Sequence, residues 1–330
     1  MYGSPSSPAQ PVQHDGQSLP PDDDYPVAPD GAIGRVISSA SNRTRSGWKP
    51  MGAQEKALFV IFPLLVFLLG GIVGLVAGQE GVRAVAMQGL PQVMELETPI
   101  MVLVGLAGAV VPSVVLIAGM WLLRKARVSW VGTDGAQLWE KGLFGSKSTV
   151  LRFSEAGWLT TERVRQYVNG NYSGTRYNFT WWSPQRAKVF VLGGSFRETG
   201  LALFGKDLPP AGHDPIRFAE AAERAWSRHK IARLDQEIRT TGVATFQHGS
   251  TTLRLGRGFV EVATGGKSER IERAQIASAT IQQGVIVLKR QGATEGWFSS
   301  EGVYKLPVSG MPDFMVFVML FEDLLGLRFS

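Results

Sequence analysis

Along this chain the spacing of apolar residues changes repeatedly, and each change predicts a new element. From Met1 to about Pro50 there is no periodicity. Stretches such as SPSSPAQP and LPPDDDYPVAPDG hold too few large apolar side chains to bury a core, which predicts a disordered tail over residues 1–50. Two uncharged apolar runs follow, Ala57–Ala77 and Ile100–Leu123. A helix needs about 20 such residues to cross the hydrocarbon core of a bilayer, so the pair predicts a transmembrane hairpin over residues 51–127. The first run starts too far into the chain, and is followed too soon by a second, for a cleaved signal peptide.

After Arg127 the pattern becomes short runs of β-branched and aromatic residues between Gly, Asn and Pro signals, which reads as strands. Arg163–Val168 and Tyr172–Trp182 flank Asn169-Gly170, a dipeptide suited to a tight hairpin. Phe259–Thr264 and Lys267–Arg273 flank Gly265-Gly266 in the same way, and Val285–Lys289 reads as a further strand. Helical spacing returns twice. Asp214-Pro215 supplies an N-cap and a first-turn proline ahead of a stripe of Phe218, Ala222, Ala225, Trp226 and His229. From near Pro312, Phe314, Phe317, Val318, Phe321, Leu324 and Leu325 recur at helical intervals. The order is strands, helix, strands, helix, at roughly 100 residues per unit, with units expected over 128–235 and 236–330.

That order resembles tandem pleckstrin-homology-like (PH-like) domains, each a bent antiparallel sheet closed by a C-terminal helix. The matching stretches are VNGNYSGTRYNFTWW with DPIRFAEAAERAW, and LRLGRGFVEVATGGKSERIERAQI with PDFMVFVMLFEDLLG. DGAQLWEKG and QYVNGNYSGTRYNF are similar to a bacterial membrane family known only as a domain of unknown function, DUF6585. The resemblance implies an α+β membrane protein, a two-helix transmembrane hairpin followed by tandem PH-like β-domains, and it implies no activity. Phosphoinositide-binding PH domains carry a Lys and then a K/R-x-R group around their first hairpin. Here Lys141 and Lys147 stand near the corresponding turn, but only Arg152 follows, so attraction to anionic lipid is expected from charge and proximity rather than from a pocket.

Charge sharpens the placement. Residues from Arg124 onward sum to +9 and those before it to −3, within a chain of net +6. Arg43, Arg45, Lys49 and Lys56 precede the first run, Arg124, Lys125 and Arg127 follow the second, and Gln79–Pro99 between them holds only Arg83 among basic residues. The positive-inside rule then predicts a two-pass cell-membrane protein with both termini cytoplasmic. Trp48, Trp121 and Trp130 lie near the expected water boundaries. Arg124, Lys125 and Arg127 are the lipid-proximal candidates. Gly70, Gly74 and Gly78, and in the second run Gly105, Ala109 and Ser113, form small-residue stripes for hairpin packing or for a homo-oligomer. Neither run carries an ionisable residue, which weighs against a pore or carrier. The basic residues are scattered and fit no nucleic-acid motif, so no nucleic-acid partner is expected.

Candidate chemistry is sparse. Without cysteine there is no disulfide, thiolate nucleophile or Cys-based metal site. The four histidines form no HExxH pair, Asp22–Asp24 reads as a solvated run, Ser195 lacks a GxSxG elbow, and the glycine-rich stretches lack the P-loop pattern. No catalytic, cofactor-binding or metal residue is singled out, and no cofactor is expected. Phe314–Phe321 is apolar at all eight positions, more than one helix face needs. Phe317, Phe321, Met315 and Met319 are therefore the partner-contact candidates. The sequence leads to a non-enzymatic, membrane-anchored binding or assembly module that recruits a protein or peptide at the cytoplasmic face. A sensor or handler of anionic lipid headgroups is the alternative, and an oligomeric transport component the third reading.

Overall fold

The structure, a computed structural model, describes residues 11–19, 25–43, 48, 53–86, 97–197, 214–293 and 302–330. The chain forms two compact units, Met1–Arg45 with Val128–Trp139 and Ser148–Ser330, and Ser46–Arg127 with Glu140–Lys147.

The smaller unit is dominated by α1 (Ala53–Ala86) and α2 (Glu97–Leu123). Phe59–Gly81 and Val102–Leu123 are long and apolar enough to cross a membrane, with mean hydropathies of 2.8 and 2.4. Their polarity is inside out for a water-soluble pair: large side chains such as Leu69, Val73 and Leu103 are exposed, at 62%, 67% and 70%, while the small residues face the partner helix. A Cβ on Gly70 would lie 2.1 Å from the Gly108 carbonyl oxygen, and one on Gly74 would lie 2.7 Å from that of Val104, so only glycine allows this approach. Ala109, Ser113 and Gly78 are buried, and a Cβ on Gly105 would meet Leu75 at 2.8 Å. Ser113 Oγ donates to the Ala109 carbonyl at 2.8 Å and reaches the Pro63 carbonyl of α1 at 3.3 Å. The small-residue stripes thus pack the two helices of one chain together.

One succession of elements occurs twice along the chain. β1 (Val36–Ser41), β2 (Ala126–Gly132), β3 (Gly135–Gly142) and β4 (Gly145–Arg152) form a four-stranded sheet in that order. β5 (Trp158–Val168), β6 (Asn171–Trp182) and β7 (Lys188–Phe196) form a three-stranded sheet, and α3 (Pro215–Thr241) follows. The second half repeats this with β8 (Val243–His248), β9 (Thr251–Gly256), β10 (Phe259–Thr264) and β11 (Lys267–Glu272). Then come β12 (Ile276–Gln282), β13 (Val285–Arg290) and β14 (Val303–Pro307), closed by α4 (Phe314–Leu325). The pairings β1–β2, β5–β6–β7, β8–β9–β10–β11 and β12–β13–β14 are antiparallel. Val168 lies opposite Asn171, with Asn169 and Gly170 both at positive φ, so the loop is a two-residue turn and Asn171 belongs to the strand. Gly265 and Gly266 do the same between Thr264 and Lys267.

Two expectations need correction. The tail is not disordered throughout: Val36–Ser41 is an edge strand on β2, with Ser39 opposite Trp130 and Ser41 opposite Val128. Four of its six residues are Ser or Ala, too weak a strand signal alone, and the pairing with a buried apolar strand supplies what propensity lacks. The first β-half therefore starts before the apolar hairpin, which is an insertion between β1 and β2. Residues 1–10, 20–24, 44–47 and 49–50 of that tail lie outside the described residues.

The second correction concerns the boundary between halves. α3 does not end with the first half. Ile216, Phe218, Ala222 and Trp226 sit in the core with Phe153, Phe179 and Trp181, whereas Leu234 and Ile238 sit in the second core with Phe246, Phe317 and Phe321. At 27 residues it is about 40 Å long. It ends at Gly242, whose left-handed conformation and N–H bond to the Ile238 carbonyl terminate the helix.

Candidate functional site

One helix feeding two cores brings chemistry to the seam between them. Asp313 precedes α4 in the left-handed region (φ 52°) and is 6% exposed. Its Oδ1 accepts from the Leu159 N–H at 2.9 Å and from Trp226 Nε1 at 2.8 Å, and its own N–H donates to the Leu159 carbonyl at 2.7 Å. Lys230 Nζ lies 3.4 Å from Oδ2, donates to the Gly157 carbonyl at 2.5 Å and sits 5.6 Å from the centre of the Trp226 ring. One carboxylate thus ties β5, α3 and α4. Burial pushes its pKa up, while Lys230 and the two N–H donors pull the other way.

A cleft of about 670 Å³ opens beside this knot. Trp158, Phe246 and Pro312 line it with apolar surface, and Arg186, Lys230 and Arg233 bring three cations against Glu237 and the already engaged Asp313. Arg186 holds a left-handed backbone (φ 65°) in the turn between β6 and β7. The ring of Trp158 stacks on that of Trp182 at 6.5 Å. An open, partly apolar trough with net positive charge suits an extended acidic segment with an apolar anchor.

Two other buried titratable groups play structural parts. Glu223 accepts from Thr161 Oγ1 at 2.8 Å and faces Arg163 at 3.4 Å, and burial raises its pKa. Arg163 also pairs with Glu220 at 3.3 Å. His14 is 1% exposed, with its ring nitrogens 2.9 Å from Ser38 Oγ and Ser129 Oγ. Burial foremost, then the charge of Arg224, lowers its pKa to about 3. Arg224 also donates to the His14 carbonyl at 2.9 Å. Among the described residues no three His, Asp or Glu side chains gather as a metal-binding group.

The sequence candidates fall in different places. Phe317 and Phe321 are fully buried in the second core, so they present no surface to a partner; Met315 and Met319 are 39% and 42% exposed on α4. In the smaller unit Arg124 lies 4.4 Å from the centre of the Trp48 ring and 5.7 Å from that of Trp121, and Arg127 pairs with Glu140 at 2.7 Å. Lys125 lies beside Gly142. Asp313 and His14 escaped the sequence reading, because a single acid before a helix and a single histidine in a polar tail carry no local signature.

Together these elements define an α+β chain with an apolar two-helix hairpin long enough to cross a membrane, and two successive antiparallel β-halves, each followed by a helix. Searches against protein-family models and against curated proteins find no match to this chain.

Proposed function

We propose that the chain is a non-enzymatic binding or assembly module, anchored in the cell membrane by α1 and α2, that presents two PH-like β-halves on the cytoplasmic side and captures a protein segment in the cleft at their seam. Support for the PH-like reading comes from the repeated order of four strands, three strands and a helix. The observation that carries the anchoring is the position of the hairpin. The chain departs from β1 and returns on β2, its paired neighbour, so both ends of the excursion lie on one side, as two membrane crossings require. The basic flanks favour the cytoplasm as that side.

The cleft is the preferred capture site because its walls belong to elements locked by Asp313 and α3, so little ordering is needed on binding. The partner segment would be acidic, facing Arg186 and Arg233, with an apolar side chain against Trp158 and Phe246. A photocrosslinking residue at Gln247 in the full-length chain, expressed in cells, tests this. The expected result is a discrete protein adduct that disappears with Arg233→Glu and weakens with Arg186→Asn, a substitution that tolerates the left-handed backbone. An adduct indifferent to both changes, or none at all, would overturn capture at the seam. A second reading, contact with anionic headgroups, is favoured by Arg124, Lys125 and Arg127 directly after the second apolar helix.

A further inference from the structure

The smaller unit contains a feature that neither anchoring nor peptide capture uses. β3 and β4 are joined by Leu143-Phe144, a turn between Gly142 and Gly145. Phe144 is 95% exposed and Leu143 56%. A β-turn facing water is normally built from Asn, Asp, Gly or Ser, and two large apolar residues at its tip gain nothing from hydration. Gly145 takes a φ of +136°, which lets the chain turn without a side chain beside the aromatic ring.

Two independent observations say what covers this tip. The first is its place beside the end of the second candidate span, which stops at Leu123. Leu123 and Lys125 line the same hollow as Gly142, Phe144 and Lys147, and a Cβ on Gly142 would touch Lys125 Cγ at 3.7 Å. The tip thus lies where an apolar helix gives way to polar chain. The second is charge. Lys141 and Lys147 bracket the turn and both are exposed, and Lys125 lines the same hollow, so three ammonium groups flank the apolar pair, while the carboxylate there, Glu140, is paired with Arg127. Apolar tip within cationic collar matches the layering of an anionic leaflet, with phosphates outside and acyl chains beneath.

We infer that the β3–β4 turn is a membrane-insertion wedge: Leu143 and Phe144 enter the acyl boundary of the leaflet in which α2 ends, while Lys125, Lys141 and Lys147 contact lipid phosphates. The occupant is the bilayer itself. The wedge gives the module a third attachment beside the two helices and restricts rotation of the β3–β4 hairpin about the α2 terminus. This rests on the reading that α1 and α2 cross the bilayer.

The absence of cysteine makes the test direct. Full-length chains carrying Phe144→Cys, Leu143→Cys or Leu69→Cys are each labelled with an environment-sensitive fluorophore and reconstituted in vesicles of mixed phosphatidylcholine and phosphatidylglycerol. Quenching is read with nitroxides at headgroup and acyl depths, and with aqueous iodide. Labels at Phe144 and Leu143 should be blue-shifted, quenched by the shallow nitroxide and shielded from iodide; replacing the anionic lipid with phosphatidylcholine should lessen the shift. Full access to iodide with no nitroxide quenching would overturn the wedge, as would shielding from both quenchers, which would mean coverage by protein. The Leu69 label separates the premises: if it escapes the deep nitroxide, the spanning reading fails, and if it is quenched while the turn labels are not, only the wedge fails.

Discussion

Acidification is expected to release the segment around His14 from the first β-half, and the size of the effect follows from one buried imidazole. With its pKa lowered from 6.5 to about 3, the ring takes up a proton far more readily once the segment has opened. The folded pKa lies below the unfolded value, so this stabilisation is complete above the unfolded pKa and is lost as pH falls toward the folded one. At about pH 5 the linkage amounts to about 2 kcal/mol, roughly thirtyfold in the opening equilibrium.

The backbone supplies the reporters: the Val12 N–H donates to the Ile37 carbonyl at 3.2 Å and the Ser39 N–H to the Val12 carbonyl at 2.9 Å. Native-state hydrogen exchange at these amides, corrected for the intrinsic rate, reads the opening. Glu223 and Asp313 act in the opposite sense, because their raised pKa values mean the folded form holds their protons more tightly, favouring it on acidification. His14→Gln isolates the imidazole: it should cost about 1–2 kcal/mol at neutral pH through the weakened bonds to Ser38 and Ser129, and should remove the imidazole's share of the pH dependence. Parallel wild-type and His14→Gln profiles across the window would refute the argument.

Asp313→Ala strands the Leu159 N–H and the Trp226 indole N–H and leaves Lys230 without its carboxylate. It should lower stability by about 2–4 kcal/mol in chemical denaturation, whereas Asp313→Asn, which keeps an acceptor, should cost about half as much. Phe317→Ala should cost about 3–5 kcal/mol by opening the second core, while Met315→Ala on the exposed face should stay within about 1 kcal/mol, both read by thermal unfolding. Gly70→Val should separate α1 from α2, since its Cβ would press on the Gly108 carbonyl; loss of a disulfide engineered between the two helices would report it. Gly81→Ala, with nothing within 4 Å of the new Cβ, should leave that crosslink intact.

What the sequence made legible is what local chemistry dictates. Asn169-Gly170 and Gly265-Gly266 read as turns because few other pairs accept two positive φ values, though Asn171 left the length of the first loop open, and Asp214-Pro215 opens α3 where a cap and a first-turn proline belong. Gly70 and Gly74 stood out by spacing, and their carbonyl contacts follow from it. The rest depended on partners distant in sequence. β1 is weakly apolar and becomes a strand only through β2, some ninety residues on, so reading it as tail was the natural outcome of composition. Phe317 and Phe321 read as surface because Phe314–Phe321 is apolar at every position, yet the strands of the second half and the end of α3 absorb more of the helix circumference than one face. Asp313 became visible as a site only when Leu159, Trp226 and Lys230 converged on it.

The way α3 is shared has a consequence for how the seam can work. Leu234 and Ile238 fill the second core while Phe218 and Trp226 fill the first, so swinging the halves apart would bend a continuous helix or expose side chains from one core. Asp313 adds a return strap from the second half to β5, closed on both sides by backbone bonds to Leu159. Lys230 then neutralises Asp313 and covers the Trp226 face from within the cleft wall. A ligand carboxylate entering the cleft would meet Arg186 and Arg233 first, and would have to compete with Asp313 for Lys230. If the proposed capture holds, the seam would keep a bound segment against fixed walls rather than close over it.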